Sequence, residues 1–387
     1  FTIVGTGFFK PNISSMVGQL YKDGDPRRDA GFSFFYMGVN LGALLGGYVC
    51  IAVAEGSMWQ SIVPEHLRWN VGFGFAALVM IISLLTFTQT QKTLSTIGLS
   101  PLKEVAISKR KGLEIATYLG SLLVIPVIII MVANTKYTDY FMMFIGPASV
   151  LYLFYEMKNF SISENKKLLA ALVFIIFSIF FWAFFEQSGG SLSLFAANNL
   201  NNTIAGIELS PNGVNNSANS LFVIGFAALV GLVWLWMAKR KIEPNTIIKF
   251  GLAFLFLAAG FWVFYYTQFF ADLNGKTSLG IFTLGWLVIT FGELCLSPIG
   301  MSAMTKLSPQ KTQAVMMGMW FLASAYGQYF AGILGANIAE ASENATNIEK
   351  LILYADGYKQ LAIYALILGV ILIVISPLVK KLMQEVK

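Results

Sequence analysis

The sequence predicts an all-α membrane protein built as a bundle of eleven membrane-spanning helices. Three observations carry that expectation. Only 12% of the 387 residues are charged and 56% are hydrophobic, about half the charge of a water-soluble domain, and the mean hydropathy is +0.68. Apolar runs of the length needed to cross a bilayer, about 20 residues, recur eleven times. None alternates at a period of two for long, so helices are preferred over a strand barrel. A soluble enzyme is excluded on the first of these grounds.

The runs are residues 1–21, 33–54, 69–89, 113–133, 140–157, 167–187, 218–237, 247–270, 278–300, 313–336 and 359–379. The first is interrupted only by Lys10 and Pro11. The second follows the polar stretch Asp25-Pro-Arg-Arg-Asp29 and carries Gly38, Gly42 and Gly46 at every fourth position. The third begins beyond Arg68, the fourth beyond Lys109-Arg110-Lys111, and the fifth lies between Lys136 and Lys158. The sixth runs from Lys166-Lys167 towards Glu186. The seventh opens near Asn219 and stops before Lys239-Arg240-Lys241. The eighth follows Lys249, the ninth contains Glu293 and Pro298, and the tenth carries Ala323, Gly327, Ala331 and Gly335 at every fourth position. The eleventh stops before Lys380-Lys381. Stripes of small residues let helix backbones approach closely, so both are expected to be packing devices in a compact bundle.

Basic residues set the orientation. Segments 22–29, 90–112, 158–167, 238–249, 304–312 and the C-terminus hold 20 of the 26 Lys and Arg, and the alternate loops hold five. The positive-inside rule makes the richer set cytoplasmic, with a cytoplasmic C-terminus. The chain opens on Phe1 rather than Met, already within an apolar run. With an odd number of spans the ends lie on opposite faces, and both features are read as the loss of an odd number of helices from the N-terminus. Segment 188–217, rich in Asn, Ser and Gly, is expected to be a solvated loop, with Asn-x-Ser/Thr sequons at Asn201 and Asn215. Cys50 and Cys295 are expected to be buried thiols without a disulfide.

No continuous basic face for nucleic acid is present. No metal-binding or nucleotide-binding motif is found, so no metal, cofactor or ATP-driven activity is expected, and the chain is read as no enzyme. The single histidine, His66, lies in a loop beside Glu65 and Arg68.

Three charges remain well inside the spans: Lys10, Glu186 and Glu293. A charge at the bilayer centre costs about 2.5–3.5 kcal/mol on insertion scales, so such groups face a cavity or a partner. One ammonium and two carboxylates suggest an ion pair with one acid left to titrate. A low-dielectric site favours a neutral carboxyl, and a nearby cation reverses that preference. Moving the cation onto a substrate carboxylate would then couple protonation to binding. The plainer alternative is a structural ion pair. Pro11 and Pro298 accompany these charges and free backbone carbonyls in their helices. Tyr36 and Asn40 are four apart and share a helix face, as do Trp182 and Glu186, and Trp320 and Ser324. With Asn219 they form a candidate aromatic pocket with a few polar groups, suited to a small amphipathic ligand.

At these residues the chain resembles the proton-dependent oligopeptide transporter family of the major facilitator superfamily. The matching segments are Gly5-Thr-Gly-Phe-Phe-Lys10-Pro-Asn, Asp25-Pro-Arg-Arg-Asp29, Phe34-Phe-Tyr-Met-Gly-Val-Asn40, Phe181-Trp-Ala-Phe-Phe-Glu186-Gln, Gly292-Glu293-Leu-Cys-Leu-Ser-Pro298 and Met319-Trp320-Phe-Leu-Ala-Ser324. The resemblance implies two six-helix bundles with an extra helical pair between them. Residues 1–90 would then be a partial N-terminal bundle (helices four to six), 91–165 the linker with the extra pair, and 166–387 the C-terminal bundle. It implies a proton-coupled symporter importing di- and tripeptides across a bacterial inner membrane by alternating access. Lys10 and Glu293 would face each other across the bundles near the peptide ends. Lys10, Glu186 and Glu293 would couple protons, and with Tyr36, Asn40, Trp182, Asn219, Trp320 and Ser324 they would bind peptide. The family's ExxER motif is not in this chain, and Ser220 stands where the family usually has proline. The alternatives are a same-fold transporter of another small solute, such as nitrate or an amino-acid conjugate, and a non-transporting membrane scaffold or sensor.

Overall fold

A computed structural model describes residues 2–22, 24–54, 58–59, 61–100, 102, 105–339 and 345–386. Eleven long helices stand where the eleven apolar runs were read: α1 (Thr2–Gln19), α2 (Arg27–Ala54), α3 (Arg68–Thr90), α4 (Ile107–Ala133), α5 (Thr135–Glu156), α6 (Ile162–Phe185), α8 (Pro211–Lys239), α9 (Thr246–Tyr266), α10 (Leu279–Leu307), α11 (Gln313–Ala339) and α12 (Asn347–Met383). A twelfth, α7, covers only Ser191–Asn199. Among the described residues nine helices are long and apolar enough to cross a membrane. Helices α1 and α11 are not among the nine; polar side chains such as Lys10 and Asn12, or Gln328 and Asn337, dilute them.

Several helices outrun their apolar cores because polar caps extend them. Ser161 and Glu164 form a capping box at the start of α6, as do Thr346 and Glu349 at α12. Ser210, Asn245 and Ser278 accept backbone N–H groups at the starts of α8, α9 and α10. These side chains satisfy amides that the first turn leaves without partners. Pro11 and Pro298 lie within α1 and α10 as expected.

The core lies among α6 and α8–α12. Phe174 meets Phe250 with ring centres 4.7 Å apart, and Phe264 and Tyr358 are fully buried between neighbouring helices. Helix α2 joins this body through α8 and α10. The α4–α5 hairpin stands at the periphery. No residue of α4 is buried, and in α5 only Met142 and Leu153 are. Leu123, Val132, Phe144 and Leu151 point outward, as side chains do against lipid tails.

Three expectations are corrected. Segment 188–217 is a solvated loop only in part: 201–210, with the Asn201 sequon, is exposed apart from half-buried Ile204. Within it α7 buries Leu192, Phe195 and Ala196, and Thr203–Ile204 (β1) pairs antiparallel with Ile207–Glu208 (β2). Its Asn residues read as solvent-facing, but Asn199 donates to the carbonyls of Gly275 (2.9 Å) and Asn347 (2.7 Å), tying three connections together. Asn215, expected on a solvated sequon, is buried and donates to the Ser188 carbonyl at 2.8 Å. The two small-residue stripes also differ. Gly327 lies against Trp182 and Gly335 against Gln187, so that stripe packs, whereas positions Gly38, Gly42 and Gly46 meet nothing within 4 Å of where a Cβ would stand. Cys50 and Cys295 are free thiols. Cys295 is buried as expected, whereas Cys50 is only half-buried.

Candidate functional site

Glu293 sits mid-way along α10, 2% exposed. It is held at this depth by the packing of α10 on α9, since a Cβ on Gly292 would stand 2.6 Å from the Ala253 carbonyl oxygen. Only glycine permits that approach. The Tyr36 hydroxyl, from α2, donates to Glu293 Oε1. Asn219 Nδ2, from α8, donates to Oε2 at 2.6 Å and to Thr290 Oγ1 at 3.1 Å. One carboxylate therefore joins three helices.

Asn40 belongs to the same patch. Its Nδ2 donates to the Tyr36 carbonyl at 3.1 Å, and its Oδ1 accepts from Ser220 Oγ at 3.3 Å. The four-residue spacing put Tyr36 and Asn40 on one face. Ser220, standing where the resemblance leads one to expect proline, supplies the hydroxyl that ties this face to α8.

The two donors to Glu293 are chemically unequal. A phenol hydroxyl donates or accepts, whereas an amide nitrogen only donates. A proton arriving on Oε1 is accommodated by turning the Tyr36 hydroxyl round to accept it. On Oε2 it would confront the Asn219 N–H. The geometry thus provides a defined seat for one proton on the Tyr36 side.

No hydrogen bond or ion pair ties the other candidates to this cluster among the described residues. Glu186 ends α6 and accepts from Gln328 Nε2 at 3.3 Å. Lys10 is exposed, with its ammonium 5.9 Å from the centre of the Phe321 ring on α11. No ion pair joins Lys10 to Glu293 among the described residues: Lys10 is exposed on α1, whereas Glu293 is buried in α10. Trp182 and Trp320 are core residues. Trp182 packs edge-on to Phe181 and Phe185, and Trp320 rests on Gly300 and meets Phe250 at 6.1 Å. The buried Trp182 Nε1 has no hydrogen-bond acceptor among the described residues. Ser324 is half-buried, one turn beyond Trp320.

Sequence reasoning missed a second charged cluster. Asp29 at the start of α2 is 4% exposed and takes Lys249 Nζ from α9 on Oδ2 at 2.9 Å. Its Oδ1 accepts from Lys306 of α10 and from Ser302 Oγ at 2.5 Å. Lys249 also meets Glu243 at 2.5 Å and is itself buried. These lysines were read as topology markers, because basic residues at span ends are ordinarily solvated. The cluster borders a cleft of about 1520 Å³ whose walls include Gln19, Thr96, Lys167, Lys241, Thr305 and Lys380. All but Gln19 come from different basic segments, so the segments counted as one set do share an end of the molecule. At its rim Arg27 holds the half-buried Asp25 carboxyl down to about 2 through a guanidinium hydrogen bond at 2.7 Å.

A family model described as the POT family matches residues 1–351. The chain belongs to the POT family. Among POT relatives, a peptide transporter of Yersinia enterocolitica is 33% identical over 87% of this chain and 67% of its own length. A di-/tripeptide transporter of Lactococcus lactis subsp. cremoris is 29% identical over 100% of this chain and 75% of its own. A crystal structure of a POT peptide transporter with sulfate superposes with TM-score 0.65 at 31% identity, covering 98% of this chain and 74% of that one. A POT transporter bound to a thioalcohol-conjugated peptide gives TM-score 0.69 at 26% identity, over 97% and 74%. The fold is the helical bundle of POT transporters, as expected from the motifs.

Proposed function

We propose that this protein is a proton-coupled symporter that imports di- and tripeptides across a bacterial inner membrane, with its basic end and C-terminus in the cytoplasm. The observation that carries this reading is the buried Glu293 carboxylate, bonded at once to Tyr36 of α2 and Asn219 of α8. A carboxylate shared between helices that alternating access must separate changes partners whenever they part. Protonation of Oε1 removes its negative charge and reverses the Tyr36 bond, so proton loading and helix separation act on the same contact. A peptide is a zwitterion and needs a cation for its carboxylate and an anion for its amine. Lys10, not paired with Glu293, is the candidate cation. Glu293 and Glu186 are the candidate anions, with Asn40, Trp182, Asn219, Trp320 and Ser324 as further lining. The named functions of the Yersinia and Lactococcus relatives support this substrate class.

A second reading keeps the mechanism and changes the cargo. One POT neighbour was solved with 5-aminolevulinic acid, at 26% identity and TM-score 0.69, and that ligand also carries an amine and a carboxylate. Proteoliposome uptake of a labelled dipeptide under an inward proton gradient tests both. The proposal expects accumulation that collapses with the gradient, competition by unlabelled dipeptides and none by nitrate. Stronger competition by 5-aminolevulinic acid than by dipeptides would favour the second reading. Accumulation indifferent to the gradient would overturn proton coupling.

A further inference from the structure

Helices α5 and α11 run antiparallel and are bonded through the N-terminal half of α5. There the Gly146 N–H donates to the Tyr326 hydroxyl at 2.8 Å, that hydroxyl donates to the Met142 carbonyl, and Tyr329 donates to Asp139 at 2.9 Å. A Cβ on Gly146 would collide with the Tyr326 ring, so this end is clamped. Towards the C-terminus of α5 the helices part and leave a groove of about 410 Å³. Its walls are two matching helical stripes, Ala148, Ser149 and Tyr152 from α5 and Val315, Gly318 and Leu322 from α11. The Ser149 hydroxyl is turned onto the Ile145 carbonyl at 2.6 Å, so it offers the groove no free donor. Nothing stands within 4 Å of a Cβ built on Gly318.

An apolar groove between two membrane-spanning helices is in contact with lipid tails, and its walls lose dispersion contacts unless a chain fills it. The volume is that of a single acyl chain. Charge at the open end identifies the lipid. Lys311 lies one turn before Val315, and Lys158 lies beyond Tyr152 with its ammonium 5.5 Å from the Tyr155 ring centre. One acid, Glu156, is nearby and is engaged by the Tyr152 hydroxyl. The balance is positive, as an anionic headgroup requires. We infer that the α5–α11 groove binds one acyl chain of an anionic phospholipid, with its phosphate against Lys158 and Lys311. The lipid comes from the cytoplasmic leaflet, an assignment that rests on the orientation proposed above. Because α11 carries Trp320 and Ser324, the lipid wedges the helix that lines the candidate pocket.

The experiment is native mass spectrometry and thermal melting of the detergent-purified protein with added phosphatidylglycerol or phosphatidylcholine. Binding is read without flux, so failure of the transport reading does not affect it. Wild type is expected to retain one phosphatidylglycerol and to melt at higher temperature with it than with phosphatidylcholine. Gly318→Leu, and independently Ala148→Leu on the exposed wall, should remove the retained lipid and its thermal shift. Lys158→Gln and Lys311→Gln should each lower the preference for phosphatidylglycerol about fivefold, as expected for one basic group at an anionic surface, while Lys380→Gln should not. Equal retention by the leucine variants, or equal binding of the two lipids by wild type, would overturn the proposal.

Discussion

The Tyr36 hydroxyl on α2 donates to Glu293 on α10, joining residues 257 positions apart in the chain through one buried acid. Removing this donor by Tyr36→Phe leaves Glu293 with Asn219 alone. Hydrogen bonds between membrane helices average about 0.6 kcal/mol and reach about 1.7. A loss in that range is expected in equilibrium unfolding of the purified protein. Proton-driven uptake should fall far more than counterflow exchange, and an equal fall in both would remove Tyr36 from proton handling.

Glu293→Gln keeps the shape of the site and removes its titration. The glutamine carbonyl still accepts from Asn219, so folding should be little affected. Uptake driven by a pH gradient should be lost while exchange of peptide for peptide persists. Measuring both fluxes in the same vesicles separates this from a binding defect. Wild-type response to the gradient would exclude Glu293 as the coupling acid.

Asp29→Asn strips two lysines of their shared acid at the basic end. Breaking a buried pair by removing one partner costs about 3–5 kcal/mol, because an unpaired charge stays behind. A marked fall in melting temperature is expected. Adding Lys306→Met should restore part of it, since Lys249 keeps Glu243 at 2.5 Å. Contacting residues give such non-additive pairs. Simple addition of the two effects would show that the cluster is not coupled.

The C-terminal tail is tied down by an ion pair between Lys167 and Glu385. The Lys167 ammonium holds the exposed Glu385 carboxyl below its ordinary value of 4.5. A lowered folded-state pKa gives stability that is full above the unfolded value and lost as the pH falls through the folded one. Protection of residues 380–386 from hydrogen exchange, relative to the intrinsic rate at each pH, should therefore be high at neutral pH, fall only below about pH 4.5, and fall at neutral pH in high salt. Exchange independent of both would mean the pair does not hold the tail.

The span pattern was legible because each span is a local property. A run such as 247–270 must bury its own backbone groups in lipid, and only a helix does so within one segment. That the basic segments share one end was legible for a similar reason, since Lys239, Arg240 and Lys241 mark an end wherever their helix packs. Asn215 and Asn199 misled because an amide reads as solvated until the carbonyl that it meets is known. The same limit applied to Gly38, Gly42 and Gly46, where spacing announces room for a neighbour but does not supply one.

The candidate site divides along this line. Glu293, Tyr36 and Asn219 stood out as polar residues in apolar surroundings, where the cost of burial demands a partner. Their mutual bonding, the engagement of both Glu293 oxygens, and the placing of Lys10 beside Phe321 followed only from the packing of α2 and α8 on α10. Asp29, Lys249 and Lys306 were hidden entirely, because at a helix end a charge costs little and gives no warning of burial. Composition governs what each segment does alone against lipid, so helix number needs no folding. Which charges meet depends on pairing between distant segments, and only the packed bundle decides it.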